Sequence, residues 1–295
     1  MNSAVLSSPA KLNLFLAVTG RRADGYHDLL SVAAPVAWGD TLRAELSDRG
    51  FSLACDDPAV PLDDSNLVLR AARAFRGASG WTGGAAFVLE KRIPTGAGLG
   101  GGSSNAVAAL RALNLLCGSP LDAGRLAGIA AQIGSDCPLF LQDGPAVLRG
   151  RGERVARMEE GASARLSGRR VLLFKPGFGV GTAWAYGKLA DAREATRYTP
   201  RDSAERRLGA WVADRASPAE GLLFNGFEPV VFSKFPGIPL LLDRLRRDFG
   251  LEPRLTGSGS ACFALLPDHA EPAAAEAAIR DAWGPSALVV ETRLA

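Results

Sequence analysis

The segment that most restricts this chain is the glycine and serine run Pro94-Thr-Gly-Ala-Gly-Leu-Gly-Gly-Gly-Ser-Ser-Asn105. Ala85 to Glu90 before it reads as a short strand. Ala106 to Leu116 after it is rich in Ala and Leu, with Val107, Leu110 and Leu113 recurring every three residues. That spacing predicts a helix, capped by Ser103 or Ser104 and stopped by Gly118. Gly96, Gly98, Gly100, Gly101 and Gly102 carry no Cβ, so backbone N–H groups can approach an anion and φ can be positive. The helix start adds unpaired N–H donors and the positive end of a dipole. Several backbone donors converging on a pyrophosphate is the expected use.

Two familiar phosphate loops fit less well. A Walker loop ends in Gly-Lys-Ser/Thr, whereas this one ends Gly-Ser-Ser with no lysine. Gly96-x-Gly98-x-x-Gly101 matches the dinucleotide pattern, but the next predicted element after the helix is another helix, Asp122 to Ile133, ending at Gly134. No second strand follows to carry a ribose-binding acid. A second glycine turn, Leu255-Thr-Gly-Ser-Gly-Ser-Ala261, lies between two strand-like runs and by itself reads as a hairpin connection.

Elsewhere Leu12 to Val18, Leu29 to Ala37 and Thr41 to Leu46 read as strands, with a loop at Gly20 to His27. Ser65 to Phe75 has helical spacing. Glycines and polar residues at Arg149 to Gly152 and Glu159 to Arg169 interrupt the pattern, which places a domain boundary near residue 165. Beyond it come a strand at Val171 to Phe174, a helix near Ala183 to Leu189 and an arginine-rich span ending in Trp211. A helix at Leu240 to Phe249, strands within Arg254 to Leu266, a helix at Ala273 to Trp283 and a strand at Ala287 to Glu291 complete the chain. Strands and helices mix without steady βαβ alternation, so the expected class is α+β.

Composition narrows the function classes. The 295 residues, 47% hydrophobic and 22% charged, can bury a core without crosslinks. A net charge of +3 gives no basis for nucleic acid or a membrane surface as the main partner. His27 and His269 are the only histidines, too few for a histidine-built metal site. Cys55, Cys117, Cys137 and Cys262 form no C-x-x-C pair and read as reduced thiols. The N-terminal stretch lacks a basic start and a small-residue cleavage pattern, and no apolar run is long enough to span a bilayer, so the cytoplasm is expected.

Three segments together resemble the GHMP small-molecule kinases: Pro9-Ala-Lys-Leu-Asn-Leu-Phe15, Pro94 through Ser104, and Leu255-Thr-Gly-Ser-Gly259. Their order covers nearly the whole chain. Arg22-Ala-Asp-Gly-Tyr-His27, Gly98 to Asn105, Gly134-Ser-Asp-Cys-Pro138 and Asn225-Gly-Phe-Glu228 look like the branch that phosphorylates an alcohol bearing cytidine diphosphate, in isoprenoid precursor synthesis that bypasses mevalonate. The chain departs from that branch at Ser135, usually Ala, and at Gly226, usually Asp.

The resemblance implies two domains. Residues 1–165 would form a half like ribosomal protein S5 domain 2, holding the ATP loop and the catalytic Lys and Asp; residues 166–295 would form a ferredoxin-like half. It makes Asp136 the carboxylate that orients the substrate hydroxyl and accepts its proton; without the resemblance, a capping role for Asp136 is an equal reading. Lys11, otherwise a solvated strand-edge lysine, would stabilise the attacking oxygen near Asp136. Asn13 falls on the same strand face and would hydrogen-bond the substrate.

By the same implication His27 bonds the cytidine base, Tyr26 and Tyr186 stack on its two faces, and Thr256 and Gly257 meet substrate; without the resemblance, a helix-face core residue is an equal reading of Tyr186. Pro94, Gly96, Gly98, Leu99, Gly100, Gly101, Gly102, Ser103 and Ser104 bind ATP, with Asn66 on the adenine side. Mg²⁺ is expected with ATP, approached by Ser104. A monomer or weak homodimer is expected. The rival readings are a kinase of the same family acting on another alcohol and a non-catalytic nucleotide-binding protein.

Overall fold

A computed structural model describes residues 2–191 and 198–295. In chain order its strands are β1 (Ser3–Arg21), β2 (His27–Ser47), β3 (Phe51–Cys55), β4 (Gly84–Glu90), β5 (Ala146–Gly150) and β6 (Arg154–Arg157). Then come β7 (Arg170–Lys175), β8 (Phe224–Asn225), β9 (Arg254–Leu255), β10 (Cys262–Leu266) and β11 (Leu288–Arg293). The helices are α1 (Leu67–Ser79), α2 (Gly101–Leu116), α3 (Ala123–Ile133), α4 (Glu160–Ala164) and α5 (Thr182–Leu189). They continue with α6 (Arg201–Ala213), α7 (Glu228–Lys234), α8 (Gly237–Phe249) and α9 (Ala273–Trp283). The class is α+β, as the sequence predicts.

The chain divides into two compact units that interleave along the sequence. The first comprises residues 1–10, 38–95 and 100–143; the second comprises 11–37, 96–99 and 144–295.

In the first unit β3 pairs in parallel with β4, Phe51 opposite Ala85. β4 in turn runs antiparallel to the end of β2, Thr41 opposite Glu90. From Ala85 onward strand β4 alternates, with Ala85, Phe87 and Leu89 turned into the core. Helix α1 packs Val68, Leu69, Ala71, Ala72 and Phe75 on the same core. Helix α2 is buried almost all round from Ser104 to Leu113, which explains its small and aliphatic composition.

The second unit pairs Phe15 and Leu16 of β1 in parallel with β8, and Leu29 to Ala33 of β2 antiparallel with β5. A separate antiparallel sheet has the order β11-β7-β10-β9. Its core contains Leu172, Phe174, Cys262 and Ala264 from the sheet, with Leu241, Leu242 and Leu245 of α8 and Ile279 of α9.

Some elements differ from expectation. The stretches Leu29–Ala37 and Thr41–Leu46 form one continuous strand, because Gly39 does not break it. A Cβ there would lie 2.2 Å from the Ser8 carbonyl oxygen, so glycine is what permits the close crossing of β1. Helix α2 begins at Gly101, three or four residues before the start that a cap at Ser103 or Ser104 would give, with Gly100 at the N-cap and no side-chain cap. The short β5, β6, β8 and α7 carry no periodicity long enough to read from sequence. The arginine-rich span resolves into α6, and residues 192–197 lie outside the described residues.

Candidate active site

In the second unit the site begins at Lys11. Its backbone N–H donates to the Leu99 carbonyl at 3.0 Å, fixing the end of the glycine loop to β1. Its ammonium donates to Asn13 Oδ1 at 2.5 Å. This is the shared strand face that two-residue spacing demands. Lys11 is 4% exposed and Asn13 7%. Asn13 Nδ2 donates to Ser31 Oγ at 2.9 Å, and Ser31 Oγ donates to the Phe15 carbonyl at 2.6 Å. The Asn13 backbone N–H donates to Thr256 Oγ1 at 2.8 Å. Both polar atoms of the Asn13 side chain and its backbone N–H are therefore held.

The two glycine turns meet within this unit. A Cβ at Gly98 would lie 2.7 Å from the Thr256 carbonyl oxygen, and one at Gly257 would lie 2.9 Å from that of Gly98. Both residues have positive φ, 79° and 58°, so space and conformation each require glycine. The Ala261 N–H donates to the Ala97 carbonyl at 3.2 Å. The second turn is thus more than the hairpin connection it resembles in isolation, because it forms the bed on which residues 96–99 rest.

An aromatic group also belongs to this unit. The rings of His27 and Tyr186 are 4.8 Å apart and tilted by 31°. His27 Nε2 lies 3.1 Å from the Tyr198 hydroxyl, and Phe227 meets Tyr186 edge-on at 4.8 Å. Burial, with a smaller contribution from the Arg21 charge, holds the His27 pKa below its ordinary value, so the ring is neutral near pH 7. Tyr26 is 55% exposed, with the Arg151 guanidinium 4.8 Å over its ring. His27, rather than Tyr26, is the ring seen against Tyr186. Sequence reasoning missed Arg151 and Tyr198; neither lies in a segment with a recognisable spacing.

In the first unit Gly100 has φ 71° and precedes α2. The first helical bond runs from the Ser104 N–H to the Gly100 carbonyl. The N–H groups of Gly101, Gly102 and Ser103 therefore have no partner inside the helix. The loop itself has no lysine, yet Lys91 Nζ lies 3.2 Å from where a Gly101 Cβ would be. Its charge is matched by buried Asp40, with side chains 7% and 0% exposed. Asp40 also accepts from the N–H groups of Arg92 and Ile93 and from Asn105 Nδ2. Asn105 donates to Ser8 Oγ, which donates to Ser104 Oγ at 2.9 Å. This network locks the loop entry to the first turn of α2.

Ser104, 2% exposed, has its hydroxyl turned into that network. Among the described residues no group of three or more His, Cys, Asp or Glu could hold a metal. These residues therefore offer no ready-made cage for a divalent ion. Asn66 is the N-cap of α1, its Oδ1 accepting from the Val68 N–H at 2.9 Å and its Nδ2 donating to the Pro61 carbonyl at 2.7 Å.

Asp136 stands before the short 3₁₀ turn Cys137–Leu141, and its side chain makes no capping bond. The capping reading is thereby removed. Burial pushes the neighbouring Cys137 thiol up to about 11, which makes it a packing residue rather than a nucleophile.

Two family models match the chain: GHMP kinases N terminal domain over residues 66–150, and GHMP kinases C terminal over residues 208–285. The 4-diphosphocytidyl-2-C-methyl-D-erythritol kinase of Thermotoga maritima is 41% identical over 267 residues, covering 90% of this chain and 93% of that protein. The enzyme of the same name from Chlorobium phaeobacteroides is 40% identical over 260 residues, covering 88% and 87%. A crystal structure of 4-(cytidine 5'-diphospho)-2C-methyl-D-erythritol kinase superposes with TM-score 0.75 at 36% identity, covering 99% and 100%. A homoserine kinase from Cytophaga hutchinsonii has TM-score 0.76 at 20% identity, covering 100% and 95%, and shows the shared fold. The chain belongs to the GHMP kinase family and, within it, to the 4-diphosphocytidyl-2-C-methyl-D-erythritol kinases: it is a small-molecule kinase.

Proposed function

We propose that this kinase transfers the γ-phosphoryl group of ATP to the 2-hydroxyl of 4-diphosphocytidyl-2-C-methyl-D-erythritol, giving the 2-phosphate and ADP, in the non-mevalonate isoprenoid pathway. The observation that carries the reading beyond "kinase" is the His27 ring against Tyr186, with its Nε2 3.1 Å from the Tyr198 hydroxyl. A flat polar base is recognised by stacking and by hydrogen bonds to its edge. Neither mevalonate nor homoserine has such a base.

In this reading the substrate oxygen attacks the γ-phosphorus, the bond from that phosphorus to the β–γ bridging oxygen breaks, and ADP leaves. Asp136 orients the hydroxyl and takes its proton, and Lys11 stabilises the oxygen as charge develops. Asn13, Thr256 and Gly257 position substrate; Tyr26, His27 and Tyr186 hold the cytosine. Residues 94–104 hold ATP through backbone N–H groups at the loop and the start of α2, with Asn66 on the adenine side. Asn66 spends one donor and one acceptor on its cap and keeps one of each.

Mg²⁺ is proposed to arrive with the ATP, and Ser104, the residue that would approach it, would have to turn its hydroxyl from the Ser8 bond. The ion would supply charge neutralisation on the phosphates.

The two family matches fall on either side of a division into domains 1–165 and 166–295, whereas the compact units give 11–37, 96–99 and 144–165 to the second. No helix among the described residues is long and apolar enough to cross a membrane. A cytoplasmic monomer or weak homodimer with no nucleic-acid partner completes the proposal. The test is an ADP-release assay with three alcohols. Turnover is expected with the diphosphocytidyl alcohol alone; turnover with mevalonate or homoserine and none with the cytidine compound would refute the reading.

A further inference from the structure

The segment Asn225-Gly-Phe-Glu228 has no part in the mechanism above, although Asn225 is 3% exposed and fully engaged. Its Nδ2 donates to the Leu255 carbonyl at 2.8 Å and to the Gly257 carbonyl at 2.9 Å. Its Oδ1 accepts from the Phe227 N–H at 2.9 Å. From the other end of the segment, Glu228 Oε1 accepts from the Leu255 N–H at 3.1 Å. Both backbone polar groups of Leu255 are thus gripped by side chains, one from each end of the same four residues.

β9, which contains Leu255, is the edge of its sheet, paired on one side with β10. Asn225 and Glu228 supply on the open side what a neighbouring strand would supply. All four bonds go to backbone groups, so the effect of the pair is to fix where the chain runs. The two residues after Leu255 depend on that course. Thr256 holds the Asn13 N–H, and Gly257 lies against Gly98 with no room for a Cβ. A small shift of the turn would move residues 96–99 with it, since packed backbone does not yield continuously.

We propose that Asn225 and Glu228 are positioning residues that clamp the Leu255–Gly257 turn and, through it, set the Gly96–Leu99 segment for ATP. This rests on the reading that the glycine loop serves ATP. At Gly226 the clamp needs no particular side chain: a Cβ there would meet nothing closer than the Leu16 carbonyl at 3.4 Å. The departure from the usual Asp therefore leaves the clamp intact.

The experiment compares steady-state constants of the full chain with three variants, with thermal melts to establish folding. Asn225→Asp keeps the acceptor for Phe227 and replaces the donor of two bonds by an oxygen facing two carbonyls. It should raise the KM for ATP about tenfold with kcat within about threefold. Glu228→Ala should raise the same constant by a smaller factor, and it carries the test if Asn225→Asp does not fold. Glu228→Gln, which can still accept from Leu255, should behave as the parent. A rise in KM for the cytidine alcohol alone would show that the clamp serves the Thr256–Gly257 contact with substrate and not the Gly96–Leu99 segment, and would overturn the proposal. Both KM values within twofold of the parent in the folded variants would overturn the clamp itself.

Discussion

A proton-accepting role for Asp136 and a charge-stabilising role for Lys11 make the two interdependent, because each acts on the same oxygen in the proposed step. Asp136→Asn and Lys11→Met are each expected to lower kcat far more than they weaken nucleotide binding. Combining them should lose much less than the product of the single losses. Near-normal kcat in Asp136→Asn would mean that another carboxylate serves. His27 gives a second measurement. Its depressed pKa means that the unfolded chain binds the proton more readily. The stability its neutral form contributes is full above about pH 6.5 and is lost as pH falls through the folded value. With only two histidines in the chain, the imidazole signals can be followed by NMR, and His269→Gln assigns them. The His27 midpoint is expected below that of free histidine; a midpoint at or above 6.5 would contradict a buried neutral ring. The shared face of Lys11 and Asn13 was legible in sequence because strand geometry places residues two apart on one side, whereas the burial of Lys11 was not, since a lysine at a strand edge is ordinarily solvated. Tyr198 was not, since its partner His27 is 171 positions away and nothing local announces such a pairing.

At the level of elements, the glycine loop was readable and its exact boundary was not. Serines at 103 and 104 suggest a cap by propensity, but the helix gains a turn by starting at Gly101 under a left-handed Gly100. Tertiary bonds then occupy the Ser104 hydroxyl that capping would use. Gly100→Val should therefore act in two ways. It strains a φ of 71° at a cost of roughly 1–3 kcal/mol, and it crowds the N–H groups proposed for phosphate. The expected result is a sharply raised KM for ATP with cytidine-substrate affinity largely kept, while Ser103→Ala stays mild. Calorimetric titration of both ligands checks it, and lost cytidine binding beside unchanged ATP binding would reassign the loop. The Lys91–Asp40 pair escaped sequence reasoning because a lysine three positions before a proline looks like any surface charge. Burial is what gives it weight: Asp40→Ala would leave an ammonium without its counter-charge, and about 3–5 kcal/mol of stability should be lost in a denaturant melt.

Across the whole molecule, the α+β class followed from mixed periodicities, whereas the interleaving of the two units could not. Nothing in Lys11–Ala37 distinguishes residues that pair early in the chain from residues whose partners are β5 and β8, far downstream. That interleaving has a consequence during synthesis. Once Asp143 has left the ribosome, every residue of the first unit is available, while the second still lacks most of its chain. At about 5–20 residues per second, the strand segment carrying Lys11 and Asn13 would wait roughly 12–50 s for β8 and the Thr256 turn to emerge. A nascent chain halted past residue 143 should therefore resist protease within 38–95 and 100–143 more than within 11–37, whose β5 and β8 partners are still missing. The lysine-bearing strand of this chain thus meets β8 and the Thr256 turn late, although it is among the first residues made.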